Sequence, residues 1–327
     1  DKKRPELRAG EYELAQGASM RQVMATLSEG KCILYKATVP EGLTSQQIVE
    51  RLKSDESLSG ELTTIPAEGT LLPDTYLFAK GTSRPEIIER MQSEMSKLLV
   101  DLWDKRSPDL PLRSPEEAVT FASIVEKETG QAEERPRVAA VFYNRLKKGM
   151  RLQSDPTIIY GIVGGEGSLG RGITRTDIDT KTPYNTYQIN GLPPGPIANP
   201  GRAALEATFA PAQTNDLYFV ADGTGGHSFS ETLKQHNAAV QKWREVEKQG
   251  KVRKEEGGSK SLVNSEPDPD VAPIPGSSGE PAPVSPPAAP KAASPPKAAP
   301  VKTVTPKADK AANTAATTPV TKPKVAE

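Results

Sequence analysis

The stretch "RSPEEAVTFASIVEKETG", residues 113–130, opens like a helix of a buried core and closes on two carboxylates. Ser114 suits the N-cap, Pro115 the first helical position, and Glu117, three residues after the cap, completes a capping box. Gly130 supplies the stop. Ala118, Val119, Phe121, Ala122, Ile124 and Val125 then form one broad apolar face, with Lys127 opposite and Glu126 and Glu128 on its flanks. Helix phase barely separates the two glutamates. Position along the axis does: Glu128 lies in the last turn, where unpaired carbonyls carry partial negative charge, and Phe121 and Ile124 cover one flank. Both effects disfavour the carboxylate and raise its pKa, at about 1.4 kcal/mol per unit. An acid that keeps its proton near neutral pH is what cleavage of an acetal or glycosidic bond requires. The plainer alternative is a solvated Glu-Lys-Glu helix end.

Upstream, the chain echoes itself at an offset of 25 residues: "GASMRQVMATL" from Gly17 and "GLTSQQIVERL" from Gly42. Each has a glycine turn, a hydroxyl cap (Ser19, Thr44) and a short helix with matching apolar positions, Val23 with Ile48, Met24 with Val49, Leu27 with Leu52. Each follows an extended stretch, "GEYEL" or "YKATVP", so the unit reads as strand, turn, helix within a small α+β module. "VPEGLTSQQIVERL" resembles the glycan-binding LysM pattern; plain scaffold is the alternative. "LLPDTYLF" (71–78) reads as an ordered connector to an amphipathic helix over about 85–103, whose apolar residues from Ile87 to Leu102 recur at spacings of three and four. A further helix spans about 135–148 and stops at Gly149. Residues 150–201, rich in Gly, Pro, Asn, Thr and Tyr, read as a long functional loop. "NDLYFVADG" is a strand, and "SETLKQHNAAVQKWREVEK" a last helix closing the fold near residue 250.

An apolar fraction of 35% is low for a chain folded throughout, and the 31 prolines crowd after about residue 266, so residues 251–327 are expected to form a disordered Pro/Ala/Lys-rich tail. Lys291, Lys297, Lys302, Lys307, Lys310, Lys322 and Lys324 make it locally basic, as suits a soluble linker or a weak contact with an anionic surface. The 42 basic and 42 acidic residues cancel, so no global field argues for nucleic acid. The single Cys32 excludes an intramolecular disulfide. With only His227 and His236 beside it, no dedicated metal site is expected. No run approaches the roughly 18 apolar residues of a spanning helix.

Around the glutamates, "RLQSDPTIIYG" (151–161) and "PYNTYQINGLPPGPIANPG" (183–201) concentrate Gln153, Ser154, Asp155, Asn185, Thr186, Tyr187 and Asn190. Amides, hydroxyls and phenol rings of this kind read sugar hydroxyls and stack on pyranose faces, although turn chemistry explains part of the pattern. Together with "VFYNRLKKGMRLQSDPTIIYG" and "LYFVADGTGGHSF", these motifs closely resemble those of the endolytic murein transglycosylases, the YceG-like or MltG family, strongly over residues 113–240.

That resemblance implies an α+β chain: a LysM-like module over 1–60, connector and amphipathic helix over 61–112, and a mixed helical and strand catalytic domain with long substrate loops over 113–250. It implies a lyase without cofactor that cuts nascent peptidoglycan strands internally at the periplasmic face of the inner membrane. A membrane anchor is expected upstream of the given chain, and peptidoglycan synthases are candidate partners. It favours Glu128 as the single catalytic residue, with Glu126 accepting a hydrogen bond that shapes the site. Glu126, Gln153, Ser154, Asp155, Asn185, Thr186, Tyr187 and His227 are the candidate substrate-binding residues. His236 reads as structural or exposed. Two rivals stand: a hydrolytic muramidase in which Asp155 activates water, and a non-catalytic peptidoglycan-binding scaffold.

Overall fold

The structure, a computed structural model, describes residues 10–256, with side chains from 10 to 248. In chain order the elements are α1 (Met20–Glu29), β1 (Leu34–Thr38), α2 (Ser45–Lys53), β2 (Thr75–Ala79), α3 (Arg84–Asp104), α4 (Pro115–Glu128) and α5 (Arg135–Lys147). There follow α6 (Asp155–Val163), α7 (Arg175–Asp179), α8 (Arg202–Phe209), β3 (Tyr218–Ala221), β4 (His227–Ser230) and α9 (Leu233–Glu256). The mixture is α+β. Both sheets are two-stranded and antiparallel: β1 with β2, Leu34 opposite Ala79 through Thr38 opposite Thr75, and β3 with β4, Tyr218 opposite Ser230 through Ala221 opposite His227. None of the described helices is long and apolar enough to cross a membrane.

Each small sheet needs a helical partner, because a lone hairpin cannot bury both faces. Under β1–β2 lie Ile48 and Leu52 of α2 and Ile87 and Met91 of α3, all fully buried with Leu71, Tyr76 and Phe78. Farther along the same α3, Met95 and Leu98 pack with Val119 and Ala122 of α4 and Leu205 of α8. The third cluster is built on α4 and α5, where Phe121 stacks on Tyr143 with ring centroids 4.1 Å apart and meets Phe142 edge to face. One 21-residue helix thus ties the N-terminal core to the framework that carries Glu128.

Several expectations need correction. Residues 11–14 form no strand; Ile33 N–H donates to Glu11 O, and the Glu11 carboxylate accepts from Tyr35 and Lys80. The 25-residue echo is real in its capping boxes, Ser19 with Gln22 and Thr44 with Gln47, but α1 buries no residue whereas α2 buries Ile48, Val49 and Leu52. "LLPDTYLF" is more than a connector, since it leads into β2, the partner of β1. At the start of α4, Ser114 Oγ accepts from Glu117 N–H at 3.3 Å, but the Glu117 carboxylate accepts from Arg113 N–H, so only half the capping box forms. Gly130 is not the stop: Thr129 is already extended (φ −143°, ψ 132°), and Gly130 is not left-handed. Gly149, with φ 67°, does end α5 in the left-handed conformation.

Residues 150–201 are not one long loop, for α6 and α7 lie within them. The Gly, Pro, Asn, Thr and Tyr content of the stretch concealed α6, which contains Gly161. That glycine allows close approach, since a Cβ there would fall 2.9 Å from Thr182 Oγ1. The last helix passes residue 250 and reaches Glu256; the rest of the expected tail lies outside the described residues.

Candidate active site

Glu128 closes α4 and keeps a solvent-facing edge while its carboxylate is enclosed by protein. Ser154 Oγ donates to Glu128 Oε1 at 2.5 Å, and among the described residues none bonds to Oε2. Ser154, only 1% exposed, is fixed by its own backbone: its N–H donates to Thr186 Oγ1 at 2.9 Å and its carbonyl accepts from Thr157 Oγ1 at 2.6 Å. Just before it, Gln153 has φ 51°, the one positive value among described residues other than glycine. Such a conformation is costly for a side chain with a Cβ and persists only where its surroundings impose it. Here it lets Leu152 and Ser154 point inward while Gln153 stays exposed.

Burial is the main influence on the Glu128 acid and pushes its pKa up to about 7. The Ser154 hydrogen bond works the other way, the nearby charge of Asp155 adds to the rise, and Arg145 opposes it. Arg145, 8% exposed, donates Nε to Leu217 O at 2.6 Å and Nη1 to Leu152 O at 2.7 Å. Asp155 is exposed and accepts from the Tyr187 hydroxyl at 2.6 Å. That phenol is held well above its usual range, first by burial and then by Asp155.

The other flank of α4 is different in kind. The Glu126 side chain, 5% exposed, faces Arg135 Nη2 at 3.3 Å, and its Oε2 accepts from Gly201 N–H at 3.0 Å, where α8 begins. A carboxylate at that place suits the positive end of α8. Burial raises the Glu126 pKa, while Gly201 and Arg135 favour its charged form. Every polar atom of this carboxylate is engaged, so it shapes the scaffold and is not free to reach a sugar.

Sequence reasoning also placed Asn185 and Thr186 on the substrate, and the structure corrects this. Asn185 is 1% exposed; its amide donates to the carbonyls of Asp177, Ile178 and Thr180, and its Oδ1 accepts from Tyr187 N–H. Thr186, fully buried, is bonded to Ser154 N–H and to the Thr157 hydroxyl. Loops without ladder hydrogen bonds must satisfy buried backbone with side chains, and these two residues meet that demand. Ser154, Asp155 and Tyr187 are gathered around Glu128 by the loop before α6 and the turn at 185–187, and Gln153 is exposed beside Ser154 with its N–H donating to Thr186 O. His227 stands on β4, where Nδ1 pairs with Glu134 Oε2 at 2.7 Å and its N–H donates to Glu134 Oε1. Glu134 also accepts from Thr129 Oγ1, the residue after Glu128, which links His227 to the same helix end. His236 stacks on Tyr218 at 5.2 Å and is structural. Two hollows of about 420 and 300 Å³ lie elsewhere, beside Lys36 and Arg51 and beside Tyr143 and Phe209, and neither includes Glu128.

A sequence model of the YceG-like family matches residues 1–242. The chain belongs to the YceG-like family. It is 32% identical over 241 residues to the endolytic murein transglycosylase of Bacillus subtilis strain 168, a match covering 72% of this chain and 65% of that protein. The endolytic murein transglycosylase of Streptococcus pneumoniae serotype 2 strain D39 is 33% identical over 269 residues, covering 68% of this chain and 48% of that protein. The chain therefore spans between about half and two thirds of the length of these relatives. A crystal structure of a yceG-like protein from Listeria monocytogenes superposes with a TM-score of 0.52 at 34% identity, covering 71% of this chain and 85% of that one.

In this YceG-like chain, three residues that the sequence reading passed over complete the site: Glu134, Arg135 and Arg145. One signal was available for Arg145. It falls on the stripe Val138, Phe142, Arg145, at the spacing of the buried face, where a charge is out of place.

Proposed function

We propose that this chain is an endolytic lytic transglycosylase that cleaves the bond between N-acetylmuramic acid and N-acetylglucosamine within peptidoglycan strands, with Glu128 as the catalytic residue. The observation that carries this reading is the Glu128 carboxyl itself: protonated to about pH 7, oriented through Oε1 by Ser154, with Oε2 unengaged. The named relatives support the substrate class.

The proton on Oε2 passes to the glycosidic oxygen as the bond from muramyl C1 breaks. The resulting carboxylate takes the proton of the muramyl C6 hydroxyl, whose oxygen closes on C1 to give a 1,6-anhydro ring. No water is consumed, and one residue serves as acid and then base. The ordinary glycosidase arrangement of two carboxylates at fixed separation is not required. Arg145 and Ser154 stabilise the transient Glu128 anion, and Asp155 restores its affinity for a proton. Gln153, Tyr187 and His227 are the proposed sugar contacts, His227 through the Nε2 that its bond to Glu134 leaves free.

Glycan contact by the LysM-like stretch 39–52 falls to residues other than Thr44, which is buried and donates to Gly165 O. We propose that the protein works at the periplasmic face of the inner membrane, within reach of peptidoglycan synthases.

Digestion of purified glycan strands followed by mass spectrometry tests the reading. Anhydro ends, one water lighter than hydrolysed ends, are expected. Hydrated ends alone would transfer the reaction to a muramidase using Asp155, and intact strands would leave a scaffold.

A further inference from the structure

The loop between β1 and α2 reaches from the N-terminal core to the base of the proposed active site. Glu41 Oε2 pairs with Arg135 Nη2 at 3.0 Å, and the same nitrogen faces Glu126 Oε1 at 3.3 Å. Glu126 in turn holds Gly201 N–H. Glu41 also lies directly on Gly201, where a Cβ would fall 1.9 Å from Glu41 Oε1, so any larger residue there would push the Glu41 side chain aside. Lys127 Nζ donates to Gly42 O at 3.3 Å, and Gly42 N–H donates to Asn199 O at 3.1 Å. Both residues that precede Glu128 by one and two positions are therefore bonded to something the loop at 41–42 touches or supplies.

This matters because α4 lacks a glycine stop. Its last turn is held from the sides, by Ser154 on one flank and by Glu126, Arg135 and Glu41 on the other. Arg135 is 7% exposed and leaves Nε without a partner, so its place is dictated by the two carboxylates rather than by complete satisfaction of the guanidinium.

We infer that Glu41 and Arg135 are positioning residues for Glu128, and that the N-terminal module is thereby a working part of the catalytic site. The inference rests on the proposed function. Loss of the Glu41 anchor frees the last turn of α4, and displacement of a catalytic group by about 1 Å costs on the order of a hundredfold in rate.

The test is steady-state cleavage of glycan strands by the full chain carrying Glu41→Ala, Glu41→Gln or Glu128→Gln, with thermal unfolding of each. Glu41→Ala is expected to lower kcat by about tenfold or more, with KM and the unfolding midpoint close to the parent's. Glu41→Gln, whose amide oxygen still accepts from Arg135, should recover much of that loss. A merely structural role would lower the unfolding midpoint and reduce activity only with the folded fraction, and that result overturns the inference. So does parental kcat in Glu41→Ala while Glu128→Gln is inert. Parental turnover in Glu128→Gln would instead overturn the proposed function.

Discussion

The two flanks of the last turn of α4 present the same functional group, two residues apart, to opposite surroundings. Glu126 meets a guanidinium and the N–H that opens α8, both of which favour its anion. Glu128 meets one hydroxyl and the like charge of Asp155, in a place where lost hydration dominates. Burial raises the pKa of both. Only Glu128 combines that rise with an oxygen free to deliver a proton. The difference comes from what α5, α8 and the loop before α6 bring to each flank, and nothing in the helix itself decides it.

The largest expected effect contrasts the two residues directly. Glu128→Gln should reduce cleavage by at least 10²- to 10⁴-fold with the fold intact. Glu126→Gln should leave turnover at least about tenfold above that while costing about 3 kcal/mol of stability, because Arg135 loses a buried opposing charge and the amide NH2 cannot accept from Gly201 N–H. Equal losses of turnover in the two variants, measured on the same glycan, would erase the distinction.

A second test uses stability against pH. Glu128 holds its proton in the folded chain up to about pH 7, whereas in the unfolded chain it releases it near the ordinary glutamate value of 4.5. Stability from this group is present at low pH and is lost as pH rises through that window. Glu128→Gln lacks the penalty, so its stability advantage over the parent should grow from pH 5 to pH 7 toward roughly 3 kcal/mol. A gap that stays flat in denaturant titrations across that range contradicts the assignment.

The smallest effects are shifts of the pH profile. Activity requires protonated Glu128 in the first step and falls as pH passes its pKa. Ser154→Ala removes a bond that favours the anion, so the falling limb moves to higher pH. Asp155→Asn removes a like charge, so the limb moves to lower pH. Movement of both limbs in the same direction would show that neither group acts through Glu128.

Much of the framework was legible in the sequence because its signals are local. Ser19, Thr44 and Ser114 cap as their side chains require, and α3 follows its apolar spacing over the whole predicted span. The end of α4 as a candidate site was legible too, from carboxylates adjoining a core face. Long-range facts were not. The echo between α1 and α2 misled because equal caps do not confer equal burial, and β2 was missed because its partner lies 37 residues away at Thr38 opposite Thr75. Asn185 and Thr186 looked like sugar ligands because hydroxyls and amides that satisfy backbone carry the same signature as those that bind ligand. Arg135, which pairs with Glu126 and also with Glu41, draws together residues up to 94 apart in sequence, and that has no periodic trace.

The central claim is that the Glu128 carboxyl keeps its proton near neutral pH while sharing a helix end with Glu126. Carbon-13 NMR titration of glutamate side-chain carboxyls, with Glu128→Gln to identify the resonance, reads it directly. The account predicts a midpoint of about 7 for Glu128. A midpoint in the ordinary carboxylate range, near 4.5, would contradict it.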